Sequence, residues 1–293
     1  MNTVGVIGLG NMGRGMALSL KRGNFEVIGT DALEAARRSL AAQGVDVAES
    51  IAEVAARADV IVLSLPTAAI VSTVVAGAGG LLETGRQGTL VIDTSTSHPE
   101  TTRSLAKRLT QVGMSLIDAP VSGGPKGALT GHLTMVIGGT DADVARAEPV
   151  LAAMSAKRVH VGGVGAGHVA KIANNLLCAA HLITAAEVTR MAEEAGVSTE
   201  RLLEGINAGS GRSGVTQVNF PTWILNGAFN SGFTMKLMRK DVRLAQELIG
   251  QTGLTLPLSA EVARLWALSA ETIGDDEDFN RIVGLGAAPR NQA

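Results

Sequence analysis

The chain has 293 residues, 46% of them hydrophobic, with a formal net charge of −2 and 2% aromatic residues, none of them tyrosine. That length suits two domains, each with a sizeable core. The charge balance excludes a global basic field for nucleic acid or an anionic membrane, and the scarcity of aromatics argues against base-stacking platforms.

The chain opens directly on a strand pattern, Val4–Ile7, with no basic leader before it. A helix follows near Met12–Lys21, then a strand at Phe25–Gly29 and helices at Glu34–Ala42 and Ser50–Arg57. Val60–Leu65 and Thr89–Asp93 are apolar strands, and Glu100–Val112 is helical. Leu116–Asp118, Leu133–Ile137 and Val159–Val161 complete the strands. Continuous apolar strands alternating with helices predict a parallel sheet covered on both faces, and right-handed crossovers make it doubly wound.

The pattern changes after the glycine-rich stretch Gly162–Gly167, which reads as a hinge or joint. His168–Ala195 predicts one long helix with few polar positions, stopped by Gly196, with Ser198 capping the next helix. A helix apolar almost all round is expected to be buried, a central pillar. Cys178, the single cysteine, lies within it, excludes an intrachain disulfide and reads as a small buried hydrophobe. No strand pattern follows. The expected organisation is an N-terminal Rossmann domain, 1–163, and an all-helical domain, 164–293, ending in a loose tail at Gly284–Ala293. No uncharged apolar run reaches the roughly 18 residues of a membrane span, so a soluble, cytoplasmic protein is expected.

Gly8-Leu9-Gly10-Asn11-Met12-Gly13 fits G-x-G-x-x-G, directly after a strand and at a helix start. In that context the first glycine permits a tight turn, the second lets backbone approach a pyrophosphate, and the third packs helix on strand. The helix N-terminus adds N–H groups and partial positive charge for the phosphates. Asp31, after the second strand, stands where an acid accepts the adenine ribose hydroxyls and repels a 2′-phosphate, which favours NAD over NADP. Leu65-Pro66-Thr67 and Asp93–Pro99 are further loops at strand ends, where ligands bind in such sheets. Thr96, in the second loop, also fits an N-cap for the helix near Pro99.

Asp118-Ala119-Pro120-Val121-Ser122-Gly123-Gly124 offers a hydroxyl and unobstructed backbone N–H groups, suited to a carboxylate, with a plain tight turn as the alternative. Lys171, Asn174 and Asn175 share one face of the long helix, by three- and four-residue spacing. Unpartnered burial would cost about 1–3 kcal/mol per polar group, so they are expected to face a polar cleft between the domains, or, for Lys171, an interdomain salt bridge. His168 reads as a helix-start residue near that cleft. Arg212, in the loop Asn207–Ser213, fits either a grip on a polar substrate tail or an ordinary surface arginine. No metal-ligand spacing is visible.

Four motifs in order, Gly8–Gly13, Asp118–Ala128, Gly167–Asn175 and Phe233…Leu237…Lys240-Asp241, resemble those of the β-hydroxyacid dehydrogenase family, which includes 3-hydroxyisobutyrate dehydrogenase and tartronate semialdehyde reductase. The resemblance covers nearly the whole chain. It implies a Rossmann domain followed by a helical domain, and Lys171 as the catalytic residue. It further implies Ser122, Gly123, Gly124 and Asn175 around a substrate carboxylate, and Thr96 and Lys240 against the nicotinamide end of the cofactor. The implied reaction interconverts a short 3-hydroxy acid and its semialdehyde or keto form. The helical domain is small and very apolar, so burial against a partner is expected, in a homodimer or homotetramer. A free lysine titrates near 10.4, so service as a base calls for a lowered value, which desolvation and a nearby Lys240 would favour. A non-catalytic NAD-binding sensor and a decarboxylating enzyme of the 6-phosphogluconate dehydrogenase type are the alternatives.

Overall fold

The computed structural model describes residues 3–286, which form two compact units, one ending at Lys171 and the other beginning at Ile172. The end of the expected tail, 287–293, lies outside the described residues.

The first unit runs β1 (Thr3–Ile7), α1 (Asn11–Arg22), β2 (Glu26–Thr30), α2 (Glu34–Ala41), β3 (Asp46–Val47), α3 (Ile51–Arg57), β4 (Val60–Leu63), α4 (Ala68–Ala76), α5 (Leu81–Thr84), β5 (Leu90–Asp93) and α6 (Pro99–Gln111). It continues with β6 (Ser115–Asp118), β7 (Val121–Ser122), α7 (Gly124–Thr130), β8 (Leu133–Gly138), α8 (Asp141–Met154) and β9 (Ser155–Gly162). The sheet order is β3-β2-β1-β4-β5-β6-β8-β7, with β9 also on β8. From β3 to β6 every pairing is parallel, the Rossmann order.

Alternation along the strands explains why both faces are covered. Val60 and Val62 of β4 and Leu90 and Ile92 of β5 enter one core, with Met16 and Leu20 of α1. Ile61, Leu63 and Val91 enter the other, with Val54 of α3 and Leu109 of α6. The fully parallel sheet expected from the apolar runs holds only to β6. β8 is antiparallel to β6 and β7, and β9 returns parallel to β8. β9 lies at an edge, and Val159 and Val161 are exposed, so apolar character there did not mean burial on two faces. Helices α4, α5, α7 and α8 lie in segments the sequence pattern left unassigned. Short polar caps start two of them: Thr67 accepts from Ile70 N and Thr140 from Asp143 N.

The second unit is helical: most of α9 (Ala166–Glu194), α10 (Thr199–Ala208), a π-helical segment Val215–Ile224, α11 (Met235–Thr252), α12 (Pro257–Leu268) and two 3₁₀ turns, Ser269–Glu271 and Phe279–Gly284. Gly196 takes φ 85° after α9, and Ser198 caps α10 by accepting from Arg201 N, as the pattern predicts. The all-round burial expected of the long helix does not occur. Ile172, Asn175, Ala179, Leu182, Ala186 and Thr189 form one buried stripe at three- and four-residue steps, while Leu177 and Met191 are 59% and 65% exposed. The core of this unit takes Ala179, Leu182 and Ile183 beside Phe220, Met238 and Trp266, and so covers one side of the helix. By length and composition α9 could cross a membrane (mean hydropathy 1.3), and 39% of that window is buried within the chain.

Candidate active site

In the glycine loop each glycine meets a different constraint. Gly8 has φ 94°, and a Cβ there would lie 2.4 Å from Ser64 O. A Cβ on Gly13 would lie 1.8 Å from Gly8 O. On Gly10 it would meet nothing within 4 Å, so that missing side chain leaves open space at the mouth of α1. The first helical hydrogen bond runs from Arg14 N to Gly10 O, which leaves the amides of Asn11, Met12 and Gly13 outside the helix ladder. No acid stands in that first turn. Asp31, just past β2, accepts Leu9 N at 2.7 Å and Leu33 N at 2.8 Å, one on each oxygen. Carboxylate oxygens accept more than one bond, so both retain capacity for hydroxyl donors. An open cradle, outward amides and a positioned carboxylate fit the phosphates and ribose of a dinucleotide.

The other residues of the first unit stand at the C-terminal ends of neighbouring strands. Leu65 and Pro66 follow β4, and Leu65 N donates to Ser95 Oγ at 3.0 Å. Thr96 follows β5 and is half-buried. It does not cap α6: His98 does, accepting from Glu100 N with Pro99 in the first turn. Ser122 ends β7, and Gly123 and Gly124 follow with φ 124° and 62°, values open to glycine. Lys171 Nζ donates to Ser122 Oγ at 3.0 Å, and Lys171 is buried.

Beneath that pair lies a group the sequence reading passed over. Asp118, last in β6, is fully buried, and its two oxygens accept Gly165 N at 2.6 Å and His168 N at 2.8 Å. The stretch read as a hinge is therefore tied down at Gly165. His168 is also fully buried, with Nδ1 2.8 Å from Thr102 Oγ1 and Nε2 2.9 Å from Ser95 O. Burial pushes the Asp118 carboxyl above the ordinary carboxylate value, while His168 and the amide hydrogen bonds pull it down by less. Only the spacing of an acid at a strand end from a helix start could have signalled this.

In the second unit, Asn175 Nδ2 donates to Asp241 Oδ2 at 2.5 Å, and Lys240 Nζ lies 3.0 Å from Asp241 Oδ1. Asp241 is buried, while Asn174 is exposed and donates to Asn175 Oδ1, so it does not join Lys171 and Asn175 as a buried polar group. Arg212 is exposed and donates to Gly209 O within its own loop.

Two family models divide the chain between them. One, described as the NAD binding domain of 6-phosphogluconate dehydrogenase, matches residues 3–163; the other, described as NAD-binding of NADP-dependent 3-hydroxyisobutyrate dehydrogenase, matches 165–285. 2-(Hydroxymethyl)glutarate dehydrogenase of Eubacterium barkeri is 38% identical over 283 residues, 97% of this chain and 90% of the relative. The chain belongs to the β-hydroxyacid dehydrogenase family. A probable 3-hydroxyisobutyrate dehydrogenase of Mycobacterium tuberculosis is 36% identical over 289 residues, 97% of each chain. The solved structure of Mycobacterium tuberculosis 3-hydroxyisobutyrate dehydrogenase with L-serine superposes with TM-score 0.91 at 36% identity, covering 98% of this chain and 100% of that one. This β-hydroxyacid dehydrogenase is thus a hydroxyacid oxidoreductase with a nicotinamide-cofactor domain.

Proposed function

We propose that this dehydrogenase interconverts a short 3-hydroxy acid and its semialdehyde or keto form, with Lys171 moving the proton. The observation that carries the reading is the 3.0 Å contact of Lys171 Nζ with Ser122 Oγ, at the strand ends where such sheets bind ligands. A bound nicotinamide would supply or take the hydride at the substrate carbon. In reduction the Lys171 ammonium donates a proton to the developing alkoxide; in oxidation the neutral amine accepts the hydroxyl proton. Ser122 and the Gly123 and Gly124 amides hold the carboxylate, with Asn175, one helical turn beyond Lys171, as a further donor. Gly8–Gly13 and Asp31 hold the pyrophosphate and adenine ribose, with Leu65 and Pro66 beside them. Thr96 and Lys240 serve the nicotinamide end.

NAD is preferred over NADP in this reading, because a 2′-phosphate would bring negative charge against the Asp31 carboxylate. Arg212 grips the far end of the substrate, supported by its exposed guanidinium; Arg212→Ala then raises KM with kcat less affected, and an unchanged KM rejects the role. Leu177 and Met191, exposed on α9, support a homodimer or homotetramer, and the single cysteine supports a cytoplasmic setting.

The experiment is a panel of short 3-hydroxy acids and their semialdehydes, assayed with NAD and with NADP. Turnover with at least one member, and higher kcat/KM with NAD, is expected. Tight NAD binding without turnover on any member rejects the catalytic reading.

A further inference from the structure

Two short stretches of the first unit are joined at both ends. One is Asp118-Ala119-Pro120-Val121-Ser122; the other runs from Gly165 through the start of α9 to Lys171. At one end Asp118 accepts the Gly165 and His168 amides at 2.6 and 2.8 Å. At the other, Ser122 Oγ accepts from Lys171 Nζ at 3.0 Å. Amides at a helix start have no partner within their own helix, so a carboxylate that takes the amide of Gly165, just before α9, and that of His168, in its first turn, sets where the turn sits. It also faces the positive end of the helix dipole.

His168 sets the rotation of the same turn. Its Nε2 lies 2.9 Å from Ser95 O, and a carbonyl only accepts, so that nitrogen carries a proton. Its Nδ1 lies 2.8 Å from Thr102 Oγ1 on α6. Asp93 and Asp118 each place a carboxylate oxygen 3.9 Å from the ring. Gly167, between the anchored residues, shows how closely the turn is seated. A Cβ there would stand 2.6 Å from Val136 O and 2.8 Å from Asp118 O.

We infer that Asp118 and His168 are positioning residues, a buried clasp that holds the first turn of α9 so that Lys171 Nζ meets Ser122 Oγ. The inference rests on Lys171 as the proton carrier. Lys171 lies three residues past His168, just under a full turn, so a shift or rotation of the clasped turn moves the ammonium directly. The clasp acts through Lys171 and not on cofactor or substrate.

The test is steady-state kinetics on the full-length enzyme with NAD and the best hydroxy acid of the panel. Asp118→Asn keeps the size of the side chain but turns an NH₂ group toward one of the two amides. Its kcat should fall about 10–100-fold, as expected for a misplacement of about 1 Å. Its KM for NAD should stay within about twofold. In a Lys171→Ala background the same substitution should change residual turnover by less than about twofold, because no lysine is left to position. A role in general stability would instead lower both backgrounds alike. Asp118→Asn with wild-type-like kcat, or single effects that multiply in the double variant, overturns the clasp while the proton role stands. Wild-type-like turnover in Lys171→Ala overturns the proton role and the clasp with it. Should Asp118→Asn fail to fold by circular dichroism, Thr102→Val carries the test, since it removes only the hydroxyl at His168 Nδ1. A loss of about fivefold in kcat, absent in the Lys171→Ala background, supports the clasp, and an unchanged kcat overturns it.

Discussion

Asp118 and Asp241 are buried carboxylates, one in each unit, and they are satisfied in opposite ways. Asp118 ends a strand and accepts two backbone amides. Asp241 sits within α11 and accepts from the Asn175 side chain, with the Lys240 ammonium beside it. The difference extends to the units themselves. In the first, backbone does most of the work of placing polar groups, through strand ends, glycines and helix starts. In the second, as for Lys171 and Ser122 in the first, side chains far apart in sequence must meet. Backbone partners come with the fold, so they tolerate little change at a few glycines. Side-chain partners depend on specific residue pairs, and losing one strands the other.

The largest expected effect falls on Lys171, where backbone placement turns into chemistry. Lys171→Ala should lower kcat by about 10²–10⁴-fold and leave NAD affinity, read by fluorescence titration of the cofactor, unchanged. Turnover like that of the wild type would remove the lysine from the mechanism.

Glycine substitutions test the backbone side of the comparison. Gly13→Ala drives a Cβ into Gly8 O and should cost about 3 kcal/mol, seen as a lowered Tm, along with cofactor affinity. Gly10→Ala meets open space and should change stability by less than about 0.5 kcal/mol while still weakening cofactor binding. Equal stability losses in the two variants would show that the loop is not built as described.

The side-chain arrangement is tested at Asp241. Asp241→Ala leaves the Asn175 amide and the Lys240 ammonium without their carboxylate and should cost the second unit about 1–3 kcal/mol. Urea unfolding followed by tryptophan fluorescence reads this unit alone, because the chain's 2 tryptophans, Trp223 and Trp266, both lie there. A midpoint unchanged from wild type would make the cluster dispensable to the fold.

The smallest effect is a slope. Burial raises the Asp118 carboxyl above its ordinary 3.8, so the folded state holds that proton more tightly than the unfolded chain does. The group therefore favours folding most below the unfolded value, and its contribution disappears as pH rises through the folded value. Over that window above 3.8, Asp118→Asn should lose Tm less steeply with rising pH than the wild type. Parallel slopes would show that Asp118 titrates normally.

Much of the first unit was legible in the sequence. The alternating apolar runs predicted β1, β2, β4, β5 and β6, and G-x-G-x-x-G after a strand located the cofactor loop, because each is a local pattern with a local physical cause. The antiparallel turn at β8 was not legible, since strand direction depends on where the chain goes between strands. Helices α4 and α8 begin at single threonines, too little signal to stand out.

The sequence by itself determined the family, the doubly wound Rossmann class and the motifs that hold Gly8, Gly10, Gly13, Ser122 and Lys171. Those follow from short-range spacing and from chemistry that needs particular residue types. Only the tertiary structure decided that Asp118 grips the start of α9, that His168 is buried between α6 and the end of β5, and that Asn175 belongs to Asp241. It also decided that α9 buries one stripe and leaves Leu177 and Met191 exposed. Each depends on which side chains distant segments bring within about 3 Å, a range at which hydrogen bonds form and which spacing along the chain does not specify.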